Sequence, residues 1–209
     1  MRLEMLYEGR LAKWGGVAAI SALGAIGCYG DDKPQTPPAQ KDPQTQTQAN
    51  NDKELAKFIE QWEGRKNKVY LDTKKIPTIG VGFNLRRGDA KEKLAAMNIK
   101  IQDVIGGKEL TDDQINILLA ADVKTAKSYA AKIFKTFDKQ PTDVQKILVD
   151  MAFNLGHTGL SKFKKMIAAV DSMNYNKAAD EMLNSDWYKQ VGNRSEHHVK
   201  AMRAIKPSR

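Results

Sequence analysis

Cysteine and histidine are scarce in this 209-residue chain, which has one cysteine, Cys28, and three histidines. A single cysteine cannot form a disulfide within the chain, and these few residues lack the paired spacing of a Cys/His metal site. We therefore expect a domain that is held together by ordinary hydrophobic packing, with no metal centre.

Acidic residues are outnumbered, because 34 Lys and Arg stand against 25 Asp and Glu and give a net charge of +9. Such a surface is attracted to polyanions such as nucleic acid, anionic lipid or bacterial cell wall. The chain has no zinc-finger spacing, no aromatic RNA-binding signature and no basic-region heptad, so we expect no nucleic-acid partner. Its length suits one globular domain with extensions.

Charge is absent from residues 14–30, WGGVAAISALGAIGCYG. This segment is weaker than a spanning helix of about 20 strongly apolar residues, and it resembles the apolar part of an export signal. We interpret residues 1–30 as an export signal or membrane anchor. Three forms stay open: a lipoprotein signal acylated at Cys28, an uncleaved or releasable anchor, and a cleaved signal.

A change of composition follows at residues 31–52, DDKPQTPPAQKDPQTQTQANND, which hold four of the seven prolines and no aliphatic side chain larger than alanine. Such a segment cannot contribute to a core and is predicted to be a disordered linker. The folded domain is predicted over residues 53–209, where apolar residues recur at helical spacing.

The predicted domain starts with a helix whose apolar stripe consists of Leu55, Phe58, Ile59 and Trp62. Gly64 is expected to end this helix, so that Glu63 lies in its last turn. Residues 67–85 alternate between apolar and polar side chains and predict a small antiparallel hairpin with its turn at 73–75.

Everything after residue 110 is predicted to be helical. Two capping-box pairs mark the starts of long helices: Thr111 with Gln114, and Thr142 with Gln145. Gly156 should end the second of these helices. Further helices are predicted at 160–170, 174–184 and 193–204. The expected fold class is α+β, a mostly helical domain with a small antiparallel hairpin near its start.

One acid, Glu63, precedes the hairpin and a second, Asp72, lies beside its turn. Hydrolysis of a glycosidic bond needs two carboxyl groups in different protonation states. Glu63 lies at a helix C-terminus beside an apolar tryptophan, where desolvation and the helix dipole disfavour ionisation. Asp72 lies near two lysines and is expected to stay ionised. Thr78 should lie across the hairpin from Asp72, and Gly80 and Gly82 should leave that face open to a sugar ring.

Glu63, Asp72 and Thr78, followed by IGVG, resemble the catalytic triad of the phage-type lysozymes, glycoside hydrolase family 24. Three later segments resemble the same family in the same order: LTDDQINILLAADV, DMAFNLGHTGLSKF and SDWYKQVGNRSEHHVKAMR. The resemblance covers about residues 53–205. It implies a lysozyme-like fold and an endo-acting muramidase that cuts the β-1,4 bond between N-acetylmuramic acid and N-acetylglucosamine, with no metal or cofactor.

The resemblance also implies residue roles. Glu63 would be the general acid, while Asp72 and Thr78 would direct water to the opposite face of the sugar, giving inversion. Four residues match positions that line or support the substrate cleft expected between the hairpin lobe and the helical lobe: Asn84, Phe153, Asn154 and Arg194. Phe153, on an apolar helix face, suits the core better than the cleft, and Arg194 suits solvent as well as the cleft. Trp187 and Tyr188 are expected to pack, and His157, His197 and His198 to lie on the surface.

One residue departs from the resemblance, because many family members carry a histidine with a structural ionic role where this chain has Phe83. The expected partner is bacterial peptidoglycan, bound by a monomer that is exported across or anchored to the bacterial inner membrane and acts in the periplasm or cell wall. Phage lysis from within, entry through a virion, and a bacterium's remodelling of its own wall or attack on a neighbour all stay open. The alternative is a non-catalytic peptidoglycan-binding module on the same fold, against which the intact Glu63, Asp72 and Thr78 argue.

Overall fold

The structure, a computed structural model, describes residues 43–206 and their side chains from residue 50 onward. The predicted export segment 1–30, with Cys28, lies outside the described residues, and so do residues 31–42. Within the described part of the chain, no helix combines the length and the apolar character that a membrane crossing requires.

The first helix, α1, spans Pro43–Glu63 and begins inside the segment that was predicted to be a linker. Residues 43–52 are therefore helical, where the composition predicted disorder. A proline is well tolerated at the first helical position because the N–H that it lacks would have no partner there. At the boundary between the predicted linker and the predicted domain, Oδ1 of Asp52 forms an ion pair with the ammonium group of Lys127, 2.9 Å away.

A three-stranded antiparallel sheet follows α1, with the strands in the order β1, β2, β3. The strands are β1 (Lys66–Leu71), β2 (Pro77–Gly80) and β3 (Phe83–Asn84). The predicted hairpin is confirmed, but β3 was not predicted. Gly80 and Gly82 both have positive φ, 65° and 72°, so the chain turns between them where the alternating sequence suggested one continuous strand.

The rest of the described chain is helical, and the α+β fold class is confirmed. The helices are α2 (Ala90–Ala95), α3 (Ile101–Ile105), α4 (Asp112–Ile133), α5 (Thr142–Leu160), α6 (Lys164–Asp171), α7 (Tyr175–Leu183), α8 (Asp186–Val191) and α9 (Asn193–Ala204). The short helices α2 and α3 were not predicted, and α8 was not recognised as a separate helix, because five or six residues hold too little periodicity to be recognised. A 3₁₀ turn, Phe137–Lys139, separates α4 from α5.

The two predicted capping boxes have different outcomes. Thr111 accepts a hydrogen bond from the N–H of Gln114, whose side chain accepts one from the N–H of Thr111, so the first box is confirmed. The second prediction is wrong. Pro141 is the residue that precedes α5, and Thr142 is already helical, so its hydroxyl has passed the capping position.

Helix α4 is the central support of the fold, since it packs against α1, α5 and β2. Its Ile115 lies against β2, where a Cβ on Gly80 would stand 3.1 Å from an Ile115 methyl carbon. Gly80 is buried in this contact. The prediction that Gly80 leaves a face open for a sugar is therefore wrong. The absence of a side chain at Gly80 instead lets α4 pack closely against β2.

Candidate active site

Glu63 is the last residue of α1, and its side chain is 22% exposed. Gly64 ends the helix as predicted, with φ of 72° and an N–H that donates to the Glu60 carbonyl at 2.9 Å. On the far side, a Cβ on Gly82 would stand 3.6 Å from Oε2 of Glu63. Gly82 is exposed, so the absence of a side chain there keeps the surroundings of Oε2 open.

Asp72 organises the turn between β1 and β2. Its Oδ1 accepts hydrogen bonds from the N–H groups of Lys74 and Ile76, both at 2.8 Å. This is the side-chain to backbone pattern that Asp commonly adopts in turns. Its other oxygen, Oδ2, receives no hydrogen bond from the described residues, so it stays available to a ligand or to water.

Thr78 is placed differently from the prediction, because the register pairs it with Tyr70 and not with Asp72. It is buried, and its Oγ1 donates to the carbonyl of Ile76 at 3.0 Å. Ile76 thus connects the two side chains, since its N–H binds Asp72 and its carbonyl binds Thr78. The structure therefore brings Asp72 and Thr78 to one turn, although not to facing positions across the hairpin.

Tyr70 was not predicted as part of the site. Burial raises the pKa of its phenol, and the negative charges of Glu63 and then Asp72 raise this pKa further. Both acids are therefore within electrostatic range of one half-buried side chain. A signal was present in the sequence, because the alternation on β1 puts Tyr70 and Asp72 on the same face.

Arg194 lies on α9, and its side chain is only 8% exposed. Its Nη1 donates to Oε1 of Glu63 at 2.6 Å, while its Nε and Nη2 each donate to an oxygen of Asp150 at 2.8 Å. Burial works to lower the pKa of Arg194, but the hydrogen bonds and charges of Asp150 and Glu63 outweigh burial and raise it. The interpretation of Arg194 as a solvated cation is therefore wrong.

Asp150 and His198 join this cluster, and both are fully buried. Nε2 of His198 makes a short hydrogen bond to Oδ2 of Asp150. The prediction that His198 lies on the surface is wrong, whereas His157 and His197 are exposed as predicted. Asp150 could have been suspected, because an acid in the apolar stripe of a helix needs a partner.

The other predicted contact residues fall into two places. Asn84 lies on β3 opposite Thr78, and its Oδ1 accepts from the N–H of Arg86 at 2.7 Å. On α5, Phe153 is partly buried against the core, while Asn154 is exposed and accepts a hydrogen bond from Nε1 of Trp187 at 3.0 Å. Trp187 is buried, so the prediction that it packs is confirmed.

The arrangement defines a class of protein: a lysozyme-like α+β domain with one acid at a helix end and a second acid in the turn of a small sheet. The sequence model of the phage lysozyme family matches residues 60–204, which is most of the chain and includes every residue of this site. The chain belongs to the phage lysozyme family, and at the level of the family its chemistry is peptidoglycan hydrolysis by a lysozyme-type glycosidase.

Similar proteins agree with this family assignment. The chain is 30% identical to probable T4-type lysozyme 1 of Dictyostelium discoideum over 145 residues, which are 64% of this chain and 84% of that protein. It is 28% identical to probable T4-type lysozyme 2 of the same organism over 148 residues, with the same coverage. It is also 27% identical to the pre-baseplate central spike protein Gp5 of Enterobacteria phage T4 over 159 residues. These residues are 71% of this chain but only 27% of the spike protein.

Proposed function

We propose that this chain is an endo-acting muramidase that hydrolyses the β-1,4 bond between N-acetylmuramic acid and N-acetylglucosamine in bacterial peptidoglycan, with inversion. The observation that supports this most directly is the placement of the two acids: Glu63 ends α1 with its Oε2 beside the exposed Gly82, and Asp72 is fixed in the turn between β1 and β2 by two backbone N–H groups. The reaction requires two carboxyl groups, one that acts as an acid and one that acts as a base.

Each acid has contacts that suit its proposed role. Glu63 keeps one oxygen, Oε2, toward the open side at Gly82, from which it protonates the leaving oxygen. Asp72 has Oδ1 held by two backbone N–H groups, so that Oδ2 takes a proton from the attacking water. The hydroxyl of Thr78 donates a hydrogen bond to the Ile76 carbonyl, so its oxygen can accept a hydrogen bond from that water.

The reaction then balances without a metal or cofactor. Water bonds to the anomeric carbon from the face opposite the leaving group, and one of its protons passes to Asp72. The glycosidic C–O bond breaks, and the leaving oxygen takes the proton of Glu63. Inversion follows because attack and departure occur on opposite faces of the ring. The two acids regain their starting states when a proton returns from Asp72 to Glu63 through solvent.

Other predicted contacts keep a narrower role in this proposal. Asn84 and Asn154 have amide N–H groups that can bind sugar oxygens, because only their carbonyl oxygens are occupied by the hydrogen bonds described above. Phe153 is partly buried against the core next to Asn154 in the sequence, and its remaining exposed surface is the part that can contact a sugar. Arg194 supports Glu63 and does not contact the sugar, since its side chain is only 8% exposed and three of its N–H groups bind Asp150 and Glu63.

We further propose that the protein acts on the wall after export, with residues 1–30 as the signal or anchor, as a monomer that functions in phage lysis or in attack on a wall. The net charge of +9 supports contact with an anionic wall. Whether Cys28 carries lipid is tested by mass spectrometry of the protein purified from membranes, where acylation adds the mass of the lipid to a cleaved N-terminus.

The test of the proposed activity uses the full chain, purified peptidoglycan and product analysis by mass spectrometry. Glu63→Gln removes the acid but keeps the size of the side chain, and should reduce hydrolysis by about 100- to 10,000-fold. Asp72→Asn should lower the rate severely as well. Glu92→Gln changes an exposed glutamate on α2 and should behave as the unmodified protein.

The identity of the products separates the possibilities. Fragments with reducing N-acetylmuramic acid ends, released initially as the α anomer in NMR spectra, support the proposal. A retained β configuration would contradict the water-directed mechanism, and anhydro ends would indicate a transglycosylase. Released peptides would indicate an amidase. Binding without any product would establish a non-catalytic module.

A further inference from the structure

The guanidinium group of Arg194 is held by one buried carboxylate, that of Asp150. Two of its N–H groups, on Nε and Nη2, meet the two oxygens of Asp150 at 2.8 Å each, in the paired geometry that fixes both planes. This orientation leaves Nη1 directed at Oε1 of Glu63, at 2.6 Å. The direction of the contact to Glu63 is therefore set by Asp150, on a different helix.

Asp150 is held in turn by His198, whose ring has a fixed orientation. The ring stacks on Phe58, with centroids 5.7 Å apart and planes inclined by 18°, and lies against Trp62 and Trp187 at 6.0 and 6.1 Å. Its Nε2 points to Oδ2 of Asp150. Because this histidine has no exposed surface, its ring cannot turn without displacing the aromatic neighbours.

We propose that His198 and Asp150 are positioning residues that aim Arg194, and through it the carboxyl group of Glu63, at the bond to be broken. The inference rests on the proposed function, because it assigns these two residues a task in the same reaction. Neither residue touches the sugar. They act by holding Glu63 in one rotamer, and a misplacement of about 1 Å at a reacting group lowers rates by as much as about 100-fold.

A hydrogen-bonding role for His198 can be separated from a packing role by two substitutions. His198→Gln loses the ring but keeps an N–H at the same number of bonds from the backbone. His198→Phe keeps the stacked ring but has no N–H to give to Asp150. If the hydrogen bond matters, glutamine should preserve kcat within about threefold while phenylalanine lowers it at least about tenfold, with KM changed little in both.

His157→Gln is the matched control, since His157 is exposed and lies outside the cluster, where its ring contacts Tyr129. All variants are assayed as full chains on solubilised peptidoglycan strands, at a temperature where circular dichroism shows each to be folded. If His198→Phe keeps the kcat of the unmodified protein, or if His198→Gln loses as much as His198→Phe, the proposal is overturned.

Asp150→Asn provides a second route if His198→Phe does not fold. It removes the charge that faces Arg194 while keeping the shape, and should lower kcat at least about tenfold with KM nearly unchanged. Full kcat in this variant would also overturn the proposal, because the guanidinium group would then be aimed without the carboxylate.

Nuclear magnetic resonance tests the positioning without any assay of activity. The Nε–H of Arg194, assigned by its loss in Arg194→Lys, should give a resolved, slowly exchanging signal in the unmodified protein and in His198→Gln. The signal should broaden or disappear in His198→Phe. A positive result here with no hydrolysis by the unmodified protein would reject the proposed function alone, whereas hydrolysis with an unchanged Arg194 signal in His198→Phe would reject this inference alone.

Discussion

Asp150 is a charged residue in the middle of the apolar helix α5, and none of its surface is exposed. Burial works to raise the pKa of its carboxyl group, but hydrogen bonds and charge from His198 and Arg194 outweigh burial and lower this pKa below its ordinary value of 3.8. The carboxylate therefore binds a proton more weakly in the folded chain than in the unfolded chain. At neutral pH, this difference stabilises the fold.

We predict that Asp150→Asn lowers the free energy of unfolding by about 3 kcal/mol near pH 7, because the substitution breaks a buried ion pair. The contribution is complete above pH 3.8 and is lost as the pH falls through the lower, folded-state pKa. Urea denaturation across pH 7 to 3 should therefore show the difference between the variant and the unmodified protein shrinking below pH 3.8.

Asp186→Asn is the control for this prediction, since the Asp186 side chain is 89% exposed and its ion pair with Lys189 is long, at 3.9 Å. It should change the free energy of unfolding by less than about 0.5 kcal/mol. A difference for Asp150→Asn that stays constant from pH 7 to 3 would show that the carboxylate does not stabilise the fold by its charge.

Among the elements, α4 and α5 begin with the same Thr-x-x-Gln pattern but in different ways. At α4 the threonine stands just before the first helical residue, with extended backbone, and both hydrogen bonds of the box form. At α5 a proline takes that position, and Gln145 instead donates its side-chain N–H to the carbonyl of Gln140 at 2.9 Å. One residue of offset is enough to remove the cap.

We predict that Thr111→Ala lowers the free energy of unfolding by about 1 kcal/mol, because the first turn of α4 loses a hydrogen-bond acceptor. Thr142→Ala is the matched substitution at α5 and should change it by less than about 0.5 kcal/mol, since this hydroxyl caps no helix. Urea denaturation of both variants measures the contrast. Equal losses would mean that the cap at α4 contributes nothing beyond threonine itself.

For the whole molecule, a group of charges joins the part of the chain that follows β3 to the central helix α4. Asp122 on α4 forms ion pairs with Nη1 of Arg87 and with the ammonium group of Lys93, both at 2.7 Å. Arg87 also pairs with Asp89. The hydrogen bonds from Arg87 lower the pKa of Asp89 to about 2, although partial burial works to raise it, and Lys93 lowers this pKa further. These four residues tie the chain after the sheet to the central helix.

Phe83 contributes to this connection from the sheet, since the guanidinium carbon of Arg87 lies 4.9 Å from its ring centroid. The family resemblance predicted a histidine with a structural ionic role at this position, and its absence suggested the loss of a stabilising ionic pair. The structure has an ionic connection in the same region, made by Arg87 and Lys93 to Asp122. Phenylalanine adds a cation–π contact to it.

We predict that Asp122→Asn lowers the free energy of unfolding by about 1.5 to 3 kcal/mol, because two charged hydrogen bonds to a side chain that is 13% exposed are weakened together. Asp180→Asn is the control, since its pair with Arg203 is largely exposed, and it should cost less than about 0.5 kcal/mol. Urea denaturation compares them. Equal small effects would show that the charge group does not hold the sheet to α4.

Much of the fold and part of the site could be predicted from local sequence. The end of α1 at Gly64, the first hairpin, the cap at Thr111 and the helix break at Gly156, whose φ is 66°, all follow from interactions within a few residues. The strand β3 and the short helices were missed because two to six residues carry little pattern. Gly80 and His198 were misjudged because their neighbours come from distant parts of the chain.

The sequence by itself determined the class of fold, the positions of Glu63 and Asp72 at the ends of their elements, and the family resemblance, because each depends on residue types at short and regular spacing. Only the tertiary structure decided what surrounds these acids. Arg194 lies 131 positions from Glu63 and 44 from Asp150, and such contacts form when three helices pack around a buried charge. No local pattern encodes them, since burial and hydrogen-bond partners are properties of the packed whole.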